Sequence, residues 1–181
     1  MREIADRARI ERFMQAISRH AREPTRLYFA GGATAVLYGW RSTTIDVDIK
    51  VTPDRDGLLR AIPQLKEDLR INVELAVPSD FIPVRDDWER RSPFIARIGS
   101  VDFHHFDLCA QALSKIERGH AQDAEDVAAM FARGLIQSGE LREYFSAIEP
   151  MLYRYPALDP SAFRDAVAAR VKRAKGAPPA L

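Results

Sequence analysis

Between Ile45 and Val51 apolar and polar residues alternate without a break, Ile45, Val47, Ile49 and Val51 against Asp46, Asp48 and Lys50. Successive side chains of a strand point to opposite faces, so the segment predicts a half-buried strand with its acidic residues in water. A second alternation over residues 70–76 sets Ile71, Val73 and Leu75 against Asn72 and Glu74 and predicts another such strand. Both have one apolar face that the rest of the chain must cover.

The flanking sequence supplies helices for that purpose. Ile4, Ala8, Phe13 and Ile17 recur at helical spacing until Pro24. Leu27 to Ala30 reads as a short buried strand, broken by Gly31-Gly32, and residues 33–38 as a short helix closed by Gly39. A helix is expected from Thr52-Pro53-Asp54 through Leu58, Leu59, Ile62 and Leu65, then a long loop over residues 78–93. Gly99-Ser100 signals a hairpin between 94–98 and 101–106. From Asp107, a candidate cap for 108–118, further helices are expected at 123–132, 138–152 and 161–174, with Gly119 and Gly134 as stops. The expected class is α/β (α+β): residues 1–106 form a short mixed sheet flanked by helices, residues 107–175 a helical half, and residues 176–181 a frayed tail.

Composition excludes several classes. Of 181 residues, 46% are hydrophobic and 29% charged, which argues against a disordered chain. No run of 18 apolar residues marks a membrane span, and the N-terminal segment has no secretory h-region. The single Cys109 cannot form an internal disulfide and fits a reducing compartment, so a soluble cytoplasmic protein with no membrane partner is expected. Net charge is only +1, but residues 1–30 carry +3, residues 160–181 carry +4 and the centre carries −6. That pattern suits a cation site between surfaces for an anionic polymer, and equally ordinary charged helix faces and a basic tail, including the stretch from Arg164 to Lys175.

The chemistry concentrates in the acidic centre. Asp46 and Asp48, two apart on a strand, point the same way, and two adjacent carboxylates repel unless a cation lies between them. A hard divalent ion such as Mg²⁺ takes oxygen ligands and keeps positions open for substrate phosphates. If the two strands are neighbours, Glu74 adds a third carboxylate to the patch. Taken alone, Asp-x-Asp reads as well as two solvated carboxylates. Gly31-Gly32, at a strand-to-helix turn separated from Asp46 by the 13 residues 33–45, offers close backbone approach and free N–H groups to an anion, so turn and carboxylates could meet at one end of the sheet.

Ala30-Gly31-Gly32 followed by Asp46-Val47-Asp48-Ile49 resembles the nucleotidyltransferase superfamily that includes DNA polymerase β, with Glu74 in Asn72-Val73-Glu74-Leu75 matching its third acid. A narrower resemblance spans Gly31 to Ala35, Arg41 to Asp48, Glu74 to Pro83 and Lys115 to Asp126. There the chain is similar to the bacterial nucleotidyltransferase family catalogued as domain of unknown function 6036, itself similar to nucleotidyltransferase toxins of AbiEii type. The resemblance implies a nucleotidyltransferase core whose active-site cleft is completed by the helical half. It implies Lys115 as a catalytic, phosphate-neutralising lysine, with Asp123 or Asp126 as the downstream acid. Gly31, Gly32, Thr34, Arg41, Lys115 and Asp123 are then expected at the nucleotide, and Asp46, Asp48 and Glu74 at Mg²⁺ or Mn²⁺. The implied activity is transfer of a nucleoside monophosphate from ATP or another NTP to a hydroxyl on RNA, tRNA included, or protein. A cognate toxin or antitoxin partner also follows from the resemblance. The competing reading is a nucleotide-binding or antitoxin module on the same fold without turnover.

Other residues read as structural. His104 and His105 are strand neighbours facing opposite ways and cannot share a metal. His120 is expected at a helix end, Cys109 in the core, and Tyr28 and Phe29 in the sheet. Trp40 and Trp88 could stack a base or cover a core edge, and Asp123 and Asp126 share one helix face that could equally be solvated.

Overall fold

A computed structural model describes residues 4–176. The chain runs through β1 (Ala5–Asp6), α1 (Arg7–Ser18), β2 (Thr25–Ala30), α2 (Gly31–Tyr38), β3 (Thr43–Thr44), β4 (Asp46–Thr52), α3 (Asp56–Leu69) and β5 (Asn72–Glu74). It continues with α4 (Trp88–Arg91), β6 (Phe94–Ile98), β7 (Val101–His105), α5 (Leu108–Arg118), α6 (Ala121–Ala132), α7 (Ser138–Ile148) and α8 (Pro160–Gly176). Two compact units result. One runs to Val77 and takes in Ser92–Phe106; the other holds Pro78–Arg91 and the chain from Asp107 onward.

The first unit is built on a five-stranded mixed sheet in the order β5-β4-β2-β7-β6. The central strand β2 pairs antiparallel with β4 and parallel with β7, and β4 pairs parallel with β5. A central strand is covered on both faces, which is why Leu27, Tyr28, Phe29 and Ala30 are all buried. β4 keeps the alternation read from its sequence: Val47, Ile49 and Val51 are in the core while Asp46, Asp48 and Lys50 are half-buried. The helix α1 starts where the Asp6 carboxylate accepts from the Arg9 N–H at 2.8 Å, and it buries Ile10, Phe13, Met14 and Ile17. Phe29 stacks on Phe103 with ring centroids 6.0 Å apart, tying the middle of the sheet together.

In the second unit α5 contacts α6, α7 and α8, and Phe145 meets Phe163 edge-on at 5.0 Å. Asp107 caps α5 through the Cys109 and Ala110 N–H groups and accepts from Arg91 Nε at 2.8 Å. Burial pushes this carboxyl above its usual range against the pull of Arg91. Arg91 also bonds Glu140 at 2.6 Å, and both Arg85 and Arg91 lie over the Tyr144 ring. These contacts explain why Pro78–Arg91 belongs with the helices.

Several expectations change at element ends. Ile45 and Leu75 were expected on the buried faces, yet they are 54% and 60% exposed, because each lies just outside its strand. The strand over residues 70–76 shrinks to three residues, since Arg70 adopts a left-handed conformation to end α3. The expected loop over residues 78–93 contains a 3₁₀ turn at Pro78–Asp80 and α4. Gly31-Gly32 forms the first turn of α2 rather than preceding it. The expected tail was to begin at Gly176, which instead ends α8, and its remaining residues 177–181 lie outside the described residues. Among the described residues no helix is long and apolar enough to cross a membrane.

Candidate active site

The ladder register determines which polar side chains share a face. In the parallel pair of β4 and β5, Asp46 is opposite Asn72 and Asp48 is opposite Glu74. Paired residues on adjacent strands project to the same side, so two aspartates, an asparagine and a glutamate form one half-buried polar patch. Like-charged carboxylates at this spacing need a mediator. Asn72 provides one: its Nδ2 donates to Asp46 Oδ1 at 2.5 Å and to Glu74 Oε1 at 3.0 Å. The sequence showed Asn72 on this face, but not that its amide would bridge two acids.

The glycine pair sits beside this patch. Ala30, the last residue of β2, is opposite Asp48, so Gly31 follows at the same end of the sheet. Gly31 has φ +59°, a left-handed conformation, and a Cβ there would collide with Asp48 Oδ2. A Cβ on Gly32 would collide with Thr44 Oγ1 and come within 2.7 Å of Thr44 Cβ. Thr44 in turn donates to the Asp46 carbonyl at 2.9 Å. Two adjacent glycines thus let the start of α2 lie directly against the segment that carries the aspartates.

Thr34 lies one turn further along α2 and is buried. Its hydroxyl donates to the Phe29 carbonyl at 3.1 Å, and His105 Nδ1 lies 3.2 Å from Thr34 Oγ1. Burial, reinforced by Arg7 and His104, lowers the His105 pKa to about 4, so the ring is neutral. His105 stacks on Tyr38 at 4.3 Å and Tyr38 on Trp40 at 5.7 Å, which places Trp40 at the outer end of an aromatic stack. His104 faces the other way and contacts the Ser92 carbonyl. Arg41, between α2 and β3, is half-buried.

Lys115, Asp123 and Asp126 form a separate cluster within the helical unit. Lys115 Nζ bonds Asp126 at 2.6 Å and Asp123 at 3.2 Å, and Arg118 grips Asp123 through two contacts at 2.7 and 2.6 Å. Lys115 is 6% exposed, Asp123 2% and Asp126 0%. The alternative of a solvated acidic face on α6 is therefore excluded. Burial alone would raise the Asp123 pKa, but Arg118 and Lys115 outweigh it and the carboxyl is held below its usual range. Both candidate downstream acids contact the same ammonium.

The patch in the first unit has the donor chemistry of a hard divalent cation, since it offers carboxylate oxygens and no nitrogen or sulfur ligand. Among the described residues no three His, Cys, Asp or Glu side chains are gathered into a metal cage. Mg²⁺ needs none, because it is commonly held by one or two carboxylates, with water and substrate phosphates completing its shell. The residues therefore fit such an ion. A cleft of about 430 Å³ lies elsewhere, against Thr25 at the opposite end of β2, with Arg19, His20, Arg22 and Arg55 on its walls. It does not involve the acidic patch.

Mixed sheet, acidic strand pair and glycine-started helix together are consistent with a nucleotidyltransferase fold. The family model described as "Nucleotidyltransferase of unknown function (DUF6036)" matches residues 8–172, and the chain belongs to that family. No curated protein and no solved structure matches the chain.

Proposed function

We propose that the protein is a metal-dependent nucleotidyltransferase that moves a nucleoside monophosphate from an NTP to a hydroxyl on RNA or protein. The observation that carries this reading is the shared polar face of β4 and β5, with Asp48 opposite Glu74 and next to Gly31. Asp46, Asp48 and Glu74 would hold Mg²⁺ or Mn²⁺, which when bound neutralises phosphate charge and lowers the pKa of the attacking hydroxyl. That oxygen forms a bond to the α-phosphorus, the bond between the α- and β-phosphates breaks, and pyrophosphate leaves. Glu74 is positioned in this scheme to accept the hydroxyl proton. The first turn of α2 at Gly31-Gly32 faces the phosphates with backbone N–H groups. The AbiEii-type resemblance makes RNA the first acceptor to try and a toxin–antitoxin pairing the setting to examine.

The test is incubation of the protein with each α-labelled NTP, Mg²⁺ and total RNA or protein, alongside an Asp46→Ala/Asp48→Ala variant. Label on an acceptor with the native chain and not with the variant supports the reading. Equal labelling in both, or none across a broad acceptor set, removes it.

A further inference from the structure

Asn72 is the one uncharged side chain among the four that the register brings together on β4 and β5 at the acidic patch. Its single amide nitrogen reaches one oxygen of Asp46 and one of Glu74, residues on different strands. No other donor to either side-chain carboxylate occurs among the described residues, so Asp46 Oδ2 and Glu74 Oε2 remain for another ligand. A carboxylate that gives one oxygen to a fixed donor can rotate little about its last torsion. Its second oxygen then points in a defined direction.

We infer that Asn72 is a positioning residue for the divalent cation: its amide fixes the Asp46 and Glu74 carboxylates so that their second oxygens face the ion. The inference rests on the proposed metal-dependent reading of the patch and deepens it. The physical basis is general. Hydrogen bonds from outer groups orient carboxylate ligands, and removing such a group typically weakens metal binding by about 10–100-fold. Asn72 suits the task because an amide nitrogen carries two donors that can be divided between two acceptors, and it adds no charge of its own. It also screens the two acids from each other before the ion arrives. Its place on β5 lets one side chain span the strand junction.

The experiment titrates the full chain, freed of metal by a chelator, with Mn²⁺ and follows free Mn²⁺ by electron paramagnetic resonance. Native protein, Asp48→Asn, Asn72→Ala and Asn72→Leu are compared, the last keeping the branched four-atom side-chain skeleton of asparagine without its donors. The native chain is expected to bind Mn²⁺ saturably, and Asp48→Asn to lose most of that binding. Both Asn72 variants should bind roughly 10–100-fold more weakly, with metal-free melting temperatures within a few degrees of native. A purely structural role for Asn72 would move the melting temperature and leave the affinity alone. Native-like affinity in both Asn72 variants overturns this inference and leaves the transferase reading standing. No saturable binding by the native chain overturns both.

Discussion

The Asp48 carboxylate occupies the space that a Cβ on Gly31 would fill. The glycine is required twice over, by its left-handed φ of +59° and by this approach. Gly39 shares the positive φ but has open space around it. Gly31→Ala and Gly39→Ala should each cost about 1–2 kcal/mol for the left-handed conformation. Only Gly31→Ala should turn Asp48 away and lower Mn²⁺ affinity. Equal Mn²⁺ binding by the two variants would contradict this account of the glycine.

Removing charge from the patch should preserve the fold while disabling the site. Asp46→Asn and Glu74→Gln each retain the oxygen to which Asn72 donates. Like charges on neighbouring strands oppose pairing, so in chelator each variant should be at least as stable as the native chain. Mg²⁺ should raise the melting temperature of the native protein and raise it less in both variants. A variant that unfolds more readily in chelator would show the carboxylates acting as structural groups instead.

How much of this could be read beforehand depended on the range of each interaction. The strand carrying Asp46 and Asp48 was legible because a period of two is a local property, and Val47, Ile49 and Val51 are buried as it requires. The partner of that strand was not legible. The sequence left Glu74 conditional on two strands being neighbours, and the parallel register of β4 with β5 settles that pairing. Asn72 was seen on the correct face, but its bridging role depends on side-chain torsions that no periodicity encodes. Asp123 and Asp126 at i, i+3 look the same in sequence whether they face solvent or a buried ammonium. Only the packing of α5 on α6 distinguishes the two cases. Likewise the segment with Arg85 and Arg91 reads as a charged loop until Tyr144 and Asp107 are set against it.

The neutral His105 ring makes stability in the first unit depend on pH. Its folded-state pKa of about 4 lies below the unfolded value of 6.5, so below pH 6.5 the unfolded chain takes up the proton first. Its contribution is complete above pH 6.5, falls as the pH drops towards 4 and then levels off. The full shift corresponds to at most ~3 kcal/mol. His105→Phe, which keeps a ring against Tyr38 but cannot be protonated, should lose less stability over this range in urea denaturation. Parallel profiles for variant and native protein would assign the acid sensitivity to other groups.

Cys109 reports on the helical unit. It is 2% exposed, and burial, helped by Glu140 and Asp107, pushes its thiol up to about 12. Reactivity follows the thiolate, so at pH 8 the native protein should react with a disulfide reagent far more slowly than a free thiol. In denaturant the single thiol should react fully and at once. Rapid labelling of the native chain would mean that α5 opens readily around its first turn.

Lys115 distinguishes a phosphate-seeking ammonium from a structural one. Its partners Asp126 and Asp123 are almost wholly buried, and Asp123 keeps Arg118 when Lys115 is lost, whereas Asp126 loses the 2.6 Å bond to the ammonium. Breaking a buried pair by removing one member costs about 3–5 kcal/mol, because the remaining charge stays out of water. Lys115→Met should therefore destabilise the protein by that amount in chemical denaturation. Replacing both partners with apolar groups removes the buried carboxylate together with the ammonium, so Lys115→Met/Asp126→Leu should recover much of the loss. If Lys115→Met instead unfolds within about 0.5 kcal/mol of native, the usual range of a surface substitution, the buried pair is not what holds α6 to α5. The ammonium would then be free to serve a ligand.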